Sequence, residues 1–392
     1  MKIGSGHRVV IPVKDILKYP SACLTNDLLS ESDSTVLVPA HVPIKQLIES
    51  YEKPGDIINV FNDMGIQKIE ATITQDLTLE NLLDQLSVLD PSIKIVNPEV
   101  NEKALGLLKK IFLSLESDPG FVIPKAELEA IGQELSHEIR ETSQIALSLV
   151  SAQEGYYAEA HMLNVALLCG YIVKRMAQTG QTEDNMIDKA ILAGLLFDIG
   201  NAVLPKEITE KKGKLTSEEL GVMRGHALES AHIGERAGIT DADILNGIRS
   251  HHERYDGSGY PQKLEGEEIP FIARLLAVTD TFDAMTTRRV HKGAVSTKAS
   301  SSVIISSNET LFDPQICKVF LSGTGIYPPG TMVELSNGLF GTVVASTEGN
   351  LLQPKVAVNK DDGTPQVLNL TEARLFIRRS LDAQAAENPL DV

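Results

Sequence analysis

Cysteine, cationic side chains and long apolar runs are all scarce in this chain, and each scarcity excludes something. Three cysteines, Cys23, Cys169 and Cys317, stand far apart and are odd in number. Neither a disulfide framework nor a paired-cysteine metal site is expected, and a reducing cytoplasm fits best. No stretch is apolar for long enough to act as a signal peptide or membrane span, so membrane insertion is not expected. Lys and Arg number 36 against 53 Asp and Glu, a formal charge of −17. That balance disfavours a broad DNA or RNA surface, which must be basic to neutralise phosphates. A small anionic dinucleotide stays admissible where metals and a few local cations line its pocket. The hydrophobic share, 42% of 392 residues, is ordinary for a globular chain and the length suits two or three domains.

Patterning divides the chain into segments of different texture. Residues 1–98 mix strand-like runs (STVLVPAHVPI, QKIEATIT) with short amphipathic helices (KQLIESY, DIINVFNDMG), which predicts a small α/β accessory domain with a regulatory role. Residues 99–153 show apolar positions at helical spacing and read as connecting helices. Their apolar faces suit either pairing with a second copy in a homodimer or burial within the same chain. Residues 154–300 read as helix almost throughout, with Thr216 and Glu219 spaced for a capping box ahead of one helix. The serine-rich TKASSSVIISS reads as a linker. Residues 301–380 then hold alternating runs around the turn dipeptides Asn337-Gly338 and Asp362-Gly363, which predict two hairpins in a small β-barrel-like appendage. A frayed tail, 381–392, follows. The fold class expected is mainly α.

The chemistry concentrates in HHERYDGSGYP, His251–Pro261. Imidazoles bind transition metals, and two adjacent ones leaving a helix can address neighbouring ions. Gly257 and Gly259 permit backbone conformations closed to other residues, Pro261 stiffens the exit and Tyr260 offers an amphipathic face, a combination suited to recognition. Asp198 ends the apolar run AILAGLLF, where a carboxylate without a partner would be costly and a metal is the simplest partner. His161 lies in the helix pattern AEAHMLNVALL, His226 in RGHALESAHIG, and Asp280 in ARLLAVTDTFDAM. His232, six residues after His226, points elsewhere on helical geometry and reads as structural.

These motifs together resemble the HD-GYP domain, the metal-dependent branch of the HD phosphohydrolases that cleaves cyclic di-GMP. The resemblance runs from about Glu159 through His291. It implies that a first ion is held by His161, Asp198 and Asp280, and a second by Asp198, His226, His251 and His252, with Asp198 bridging as the catalytic carboxylate. It implies iron or manganese as the divalent metal, one or two ions. It assigns phosphate contacts to Arg289 and Lys292, whose alternative reading is a solvated helix end. It links the loop at Gly257, Gly259, Tyr260 and Pro261 to GGDEF-domain partners.

Three positions depart from the resemblance. The histidine of the eponymous His-Asp pair is Phe197, which has no lone pair to donate; the lysine that usually closes that motif is Asn201; and a glutamate that supports a third metal in some members is Tyr157. Two readings follow. Loss of activity at Phe197 and Asn201 would leave a metal-binding dinucleotide receptor or partner-binding scaffold; retention of the other donors would leave an active phosphodiesterase giving pGpG or GMP.

Overall fold

The computed structural model describes residues 7–18, 22–29, 36–38, 42, 44–49, 51, 53, 55–73, 82, 85–86, 88–150, 156–211, 213–286, 297–347, 349–360 and 364–381. Its N-terminal part pairs β1 (His7–Pro12), β5 (Lys68–Ile73) and β2 (Ala22–Leu24) in the order β1-β5-β2, all antiparallel, beside the small β3 (Leu28–Leu29) and β4 (Val36–Val38) ladder. Two short helices, α1 (Ile44–Glu49) and α2 (Asp56–Asp63), complete the α/β unit expected from the sequence.

Helices α3 (Pro98–Ser117) and α4 (Lys125–Glu141) follow, the first capped by Asn97 with Pro98 at its opening position. Their apolar stripes, among them Ala104, Leu108, Leu128 and Leu135, belong to the same core as the helices after them, so burial within the chain covers the connectors. Helix α4 stops at Glu141, and only a single 3-10 turn, Ile145–Ser148, continues what reads in the sequence as one helical run.

At the centre lies α5 (Tyr157–Gln178), buried on nearly every side, as a helix apolar around its whole circumference must be. Helix α6 (Met186–Leu196) crosses it at very close range: a Cβ on Gly194 would sit 2.4 Å from the Ala166 Cα. The short α7 (Lys206–Thr209) and α8 (Ser217–Arg224) come next, α8 with the capping box in place, Thr216 accepting from the Glu219 N–H and Glu219 accepting from the Thr216 N–H. Then follow α9 (His226–Arg236), α10 (Ala242–Arg249) and α11 (Phe271–Thr286). Glycine again sets the spacing, since a Cβ on Gly247 of α10 would fall 2.5 Å from Ile272 of α11.

The serine-rich stretch is not a linker. It forms α12 (Thr297–Ser306), because Ser300, Ser301, Val303 and Ile304 are all buried and small hydroxyls fit between packed helices. Helix α13 (Pro314–Thr324) then closes the core, its Phe320 ring 4.9 Å from that of Phe282 in α11.

The C-terminal strands β6 (Met332–Leu335), β7 (Phe340–Thr347), β8 (Asn350–Asn359), β9 (Pro365–Asn369) and β10 (Ile377–Ser380) make one antiparallel sheet in the order β10-β6-β7-β8-β9. The barrel-like expectation is corrected here to an open sheet, with β10 and β9 as its two edges. The Asn337-Gly338 turn joins β6 to β7 with Gly338 at φ 86°, while Asp362 and Gly363 lie outside the described residues. Phe340 of this sheet enters the N-terminal core beside Ile11, Phe61 and Ile69, so the two ends of the chain share one apolar cluster. Ser346 ties the sheet to the helices through the Gly323 carbonyl, 2.8 Å, and Gln144, 3.1 Å. Among the described residues no helix is long and apolar enough to cross a membrane.

Candidate metal centre

Four helices and one turn deliver the donors. His161 sits one turn into α5, and Asp280 occupies the middle of α11. Phe197 ends α6, and Asp198 opens the 3-10 turn Ile199–Val203. That turn is pressed onto α9 at Gly200, where a Cβ would lie 2.3 Å from the His226 carbonyl oxygen and where the backbone N–H donates to Ser230 Oγ at 2.8 Å. Only glycine fits there, and this contact brings Asp198 against His226, the first residue of α9. His251 and His252 leave the end of α10.

The result is a compact group. His226 Nε2 lies 3.2 Å from Asp198 Oδ1, 3.3 Å from His251 Nε2 and 3.0 Å from His252 Nε2. Bonds of about 2.0–2.1 Å to a zinc-like ion subtend roughly 3.3 Å between tetrahedral neighbours. The spacing therefore fits an ion that His226, His251 and His252 could hold, and Asp198 Oδ1 lies beside them, 3.2 Å from His226 and 3.9 Å from His251. Hydrogen bonding points the same way. His226 Nδ1 donates to the Met223 carbonyl and His251 Nδ1 to the Ile248 carbonyl, each at 2.7 Å, because a carbonyl oxygen can only accept. With Nδ1 of each ring used as a donor, the two Nε2 atoms are turned toward each other, an arrangement that needs a proton or a metal ion between them.

A second donor set shares Asp198. His161 Nε2 is 3.1 Å from Asp280 Oδ1 and 4.0 Å from Asp198 Oδ2. Its Nδ1 meets Asp283 Oδ2 at 2.7 Å, and Asn164 donates to the other Asp283 oxygen at 3.0 Å. Beside this set stands the Phe197 side chain, which has no lone pair to offer. Its ring is wholly buried and meets His251 and His161 edge-on, centroids 5.1 and 5.5 Å apart. Tyr157 stacks on His161 at 5.5 Å and 16°.

Electrostatics follow from this packing. Burial would raise the Asp198 pKa, but the hydrogen bond from His226 and the charges of the surrounding imidazoles take it down to about 2. Asp280 is likewise lowered to about 2, by His161 against burial. Burial, then the neighbouring His226, lowers His251 to about 4, and burial with His251 takes His252 well below the ordinary value. His226 goes up, since Asp198 outweighs burial; His161 goes well up, held by Asp280 and Asp283 against burial. The centre thus holds two ionised carboxylates facing imidazoles.

The Gly-Tyr-Pro loop is built around Glu253. Its buried carboxylate accepts from the Gln262 N–H at 2.6 Å and the Leu264 N–H at 3.2 Å. Asp256 accepts from Ser258 N and Oγ, and Gly257 takes the left-handed conformation at φ 75°. Gly259 is required for another reason than its dihedrals: a Cβ there would lie 2.3 Å from the Arg254 nitrogen. Tyr260 is no free face. It stacks on His252 at 4.8 Å and 21°, and the Arg224 guanidinium covers its ring at 4.7 Å, so the loop is fastened to the centre. Pro261 is exposed next to a cleft of about 670 Å³ lined by Arg224, Leu228, Arg249 and Pro270.

The six residues that the sequence offers as candidate donors thus lie in these two adjoining groups. His232 lies on the surface beside Glu229, as its spacing implies. Arg289 and Lys292 lie outside the described residues. Sequence reasoning missed Asp283 and Asn164; the i, i+3 spacing of Asp280 and Asp283 on one helix was the available signal.

Comparison with known proteins agrees with this geometry. Residues 131–316 match the HD domain family. A cyclic di-GMP phosphodiesterase of Pseudomonas aeruginosa is 33% identical over 303 residues, covering 74% of this chain and 72% of the relative. A probable cyclic di-GMP phosphodiesterase of Vibrio cholerae is 35% identical over 177 residues, 41% of this chain and 39% of that one. The cyclic di-GMP phosphodiesterase response regulator RpfG of Xanthomonas campestris is 29% identical, over 65% of this chain and 67% of its own. With an HD core, the converging donors and the intact Gly-Tyr-Pro loop, the chain belongs to the HD-GYP family of HD-domain proteins.

Proposed function

We propose that this chain is a cyclic di-GMP signalling protein that binds one divalent ion, iron or manganese, at Asp198, His226, His251 and His252, and recognises the dinucleotide with little or no hydrolysis. The observation that carries this reading is the Phe197 ring, fully buried and edge-on to both His161 and His251 where the neighbouring centre needs a donor. An ion held by Asp198, His226, His251 and His252 would supply Lewis acidity toward the phosphate, whereas two-metal hydrolysis would call on a second ion as well. The chain's own residues do the rest. Neutral His251 and His252 present lone pairs, anionic Asp198 offsets positive charge, and Phe197 excludes water and ligands from the space beside His161. Arg289 and Lys292 are the cations we assign to the phosphates, and the loop around Tyr260 the surface for a GGDEF-domain partner.

A second reading, an active phosphodiesterase giving pGpG or GMP, is favoured by Asp198 and Asp280 each lying within 4.0 Å of His161 Nε2. Metal content and turnover of the same preparation separate the two. One ion per chain, measurable dinucleotide binding and no product support the receptor reading. Product formation that Asp198→Ala abolishes overturns it.

A further inference from the structure

We infer that Asp283 is a positioning residue for the His161 donor, held in place by Asn164, a role that rests on the metal-binding reading of the centre. The Asp283 carboxylate is 1% exposed and lies on α11 one turn beyond Asp280. One of its oxygens takes the His161 Nδ1 hydrogen at 2.7 Å, and the other takes the Asn164 amide hydrogen at 3.0 Å. Asn164 is itself clamped to backbone: its Oδ1 accepts from the Val150 N–H at 2.8 Å, and its Nδ2 donates to the Val150 carbonyl at 3.0 Å. This fixes which amide atom faces Asp283. An NH₂ group points at the carboxylate, and the carboxylate's remaining oxygen is left for His161.

The consequence is a ring with one allowed orientation. With the hydrogen held on Nδ1, Nε2 is the atom turned to Asp280 and Asp198, the only ring nitrogen from which a metal there can draw a lone pair. The relay runs from the backbone at Val150, in the segment leading out of the connector helices, through Asn164 and Asp283 to His161. It is complete even though Phe197 stands in the neighbouring position, so the surviving half of that donor set is still oriented for an ion.

Two measurements on the full chain test this. In long-range proton–nitrogen spectra of ¹⁵N-histidine protein without metal, with the His161 signal identified by its loss in His161→Gln, wild type should show a slowly exchanging proton on Nδ1. Asp283→Asn should lose it. A wild-type His161 that carries its hydrogen on Nε2 alone overturns the assignment, and this holds whether or not Asp283→Asn folds. Manganese affinity is the second readout. Asp283→Asn introduced into Phe197→His should weaken the added ion by about 10–100-fold with the melting transition kept; unchanged affinity overturns the role. Should Phe197→His take up no added ion, the metal reading of that half falls, and the Nδ1 proton still decides on Asp283.

Discussion

Phe197 meets His251 edge-on, ring centroids 5.1 Å apart and planes at 86°, so an apolar ring stands beside the imidazole cluster at the point where one donor set passes into the other. This contact explains why the two halves of the centre differ. On one side three imidazoles and Asp198 keep ion-sized spacings; on the other the His161 ring, paired with Asp280, meets the Phe197 ring edge-on.

Phe197→His should raise bound manganese from one ion per chain to two, read by elemental analysis after supplementation, and should bring turnover of cyclic di-GMP above that of wild type. The metal-free variant should be less stable by about 1–3 kcal/mol, because a buried apolar ring is exchanged for a polar one. Metal should restore the loss. A variant still holding one ion counts against the assignment of Phe197 as the missing donor.

Asp198→Ala removes the carboxylate shared by both donor sets. Ion content should drop below one per chain in the same analysis. The metal-free protein should melt earlier, by an amount on the order of 3 kcal/mol, since His226 loses the partner that stabilises its charge. Full metal occupancy in this variant would show that the three imidazoles suffice.

The loop should answer to backbone space before it answers to charge. Gly259→Ala forces a Cβ onto the Arg254 backbone and should cost about 1–3 kcal/mol, with the stacking of Tyr260 on His252 disturbed. Glu253→Gln keeps the shape but weakens two charge-assisted acceptors, so amide exchange at Gln262 and Leu264 should accelerate about tenfold. Hydrogen-exchange mass spectrometry reads both; unaltered exchange in Glu253→Gln would remove that residue from the loop's support.

Ion affinity should rise with pH through the neutral range and then level off. A nitrogen must release its proton before it can donate a lone pair, so protons compete with the ion. His226 is raised above 6.5 by Asp198 and so carries the competing proton near neutrality, whereas His251, lowered to about 4, and His252, also lowered, are already deprotonated there. Calorimetric titration with manganese in buffers of different ionisation enthalpy should count about one proton released per ion near pH 6.5. Affinity that stays flat from pH 5.5 to 8.5 would contradict this account.

Much of the centre was legible because its donors belong to types that do little else in such surroundings. Adjacent His251 and His252 before a glycine-rich turn, and Asp198 after an apolar helix, are unusual as structural choices. Asp283 was hidden because an acid three residues beyond another on a helix reads equally well as a solvated neighbour, and only the approach of α5 makes it a partner of His161. TKASSSVIISS misled for a related reason. Serine is common in linkers, yet small hydroxyls also suit a helix packed tightly against others, and composition does not tell these apart. The barrel-like expectation failed because alternation in a strand reports one buried face and says nothing about whether the edge strands meet.

Residue chemistry and local pattern alone determined which side chains are candidate donors, the helical character of the core, the capping box at Thr216 and the lack of a lone pair on Phe197, since each depends only on a side chain and its near neighbours. Tertiary structure decided the distances: that Gly194 and Gly200 let helices approach closely enough to bring His161, Asp198 and His226 together, that Tyr260 is fastened between His252 and Arg224, and that Phe340 joins the two ends of the chain. Those outcomes depend on packing between segments up to hundreds of residues apart, where volume and close contact govern and no short stretch of sequence carries the information.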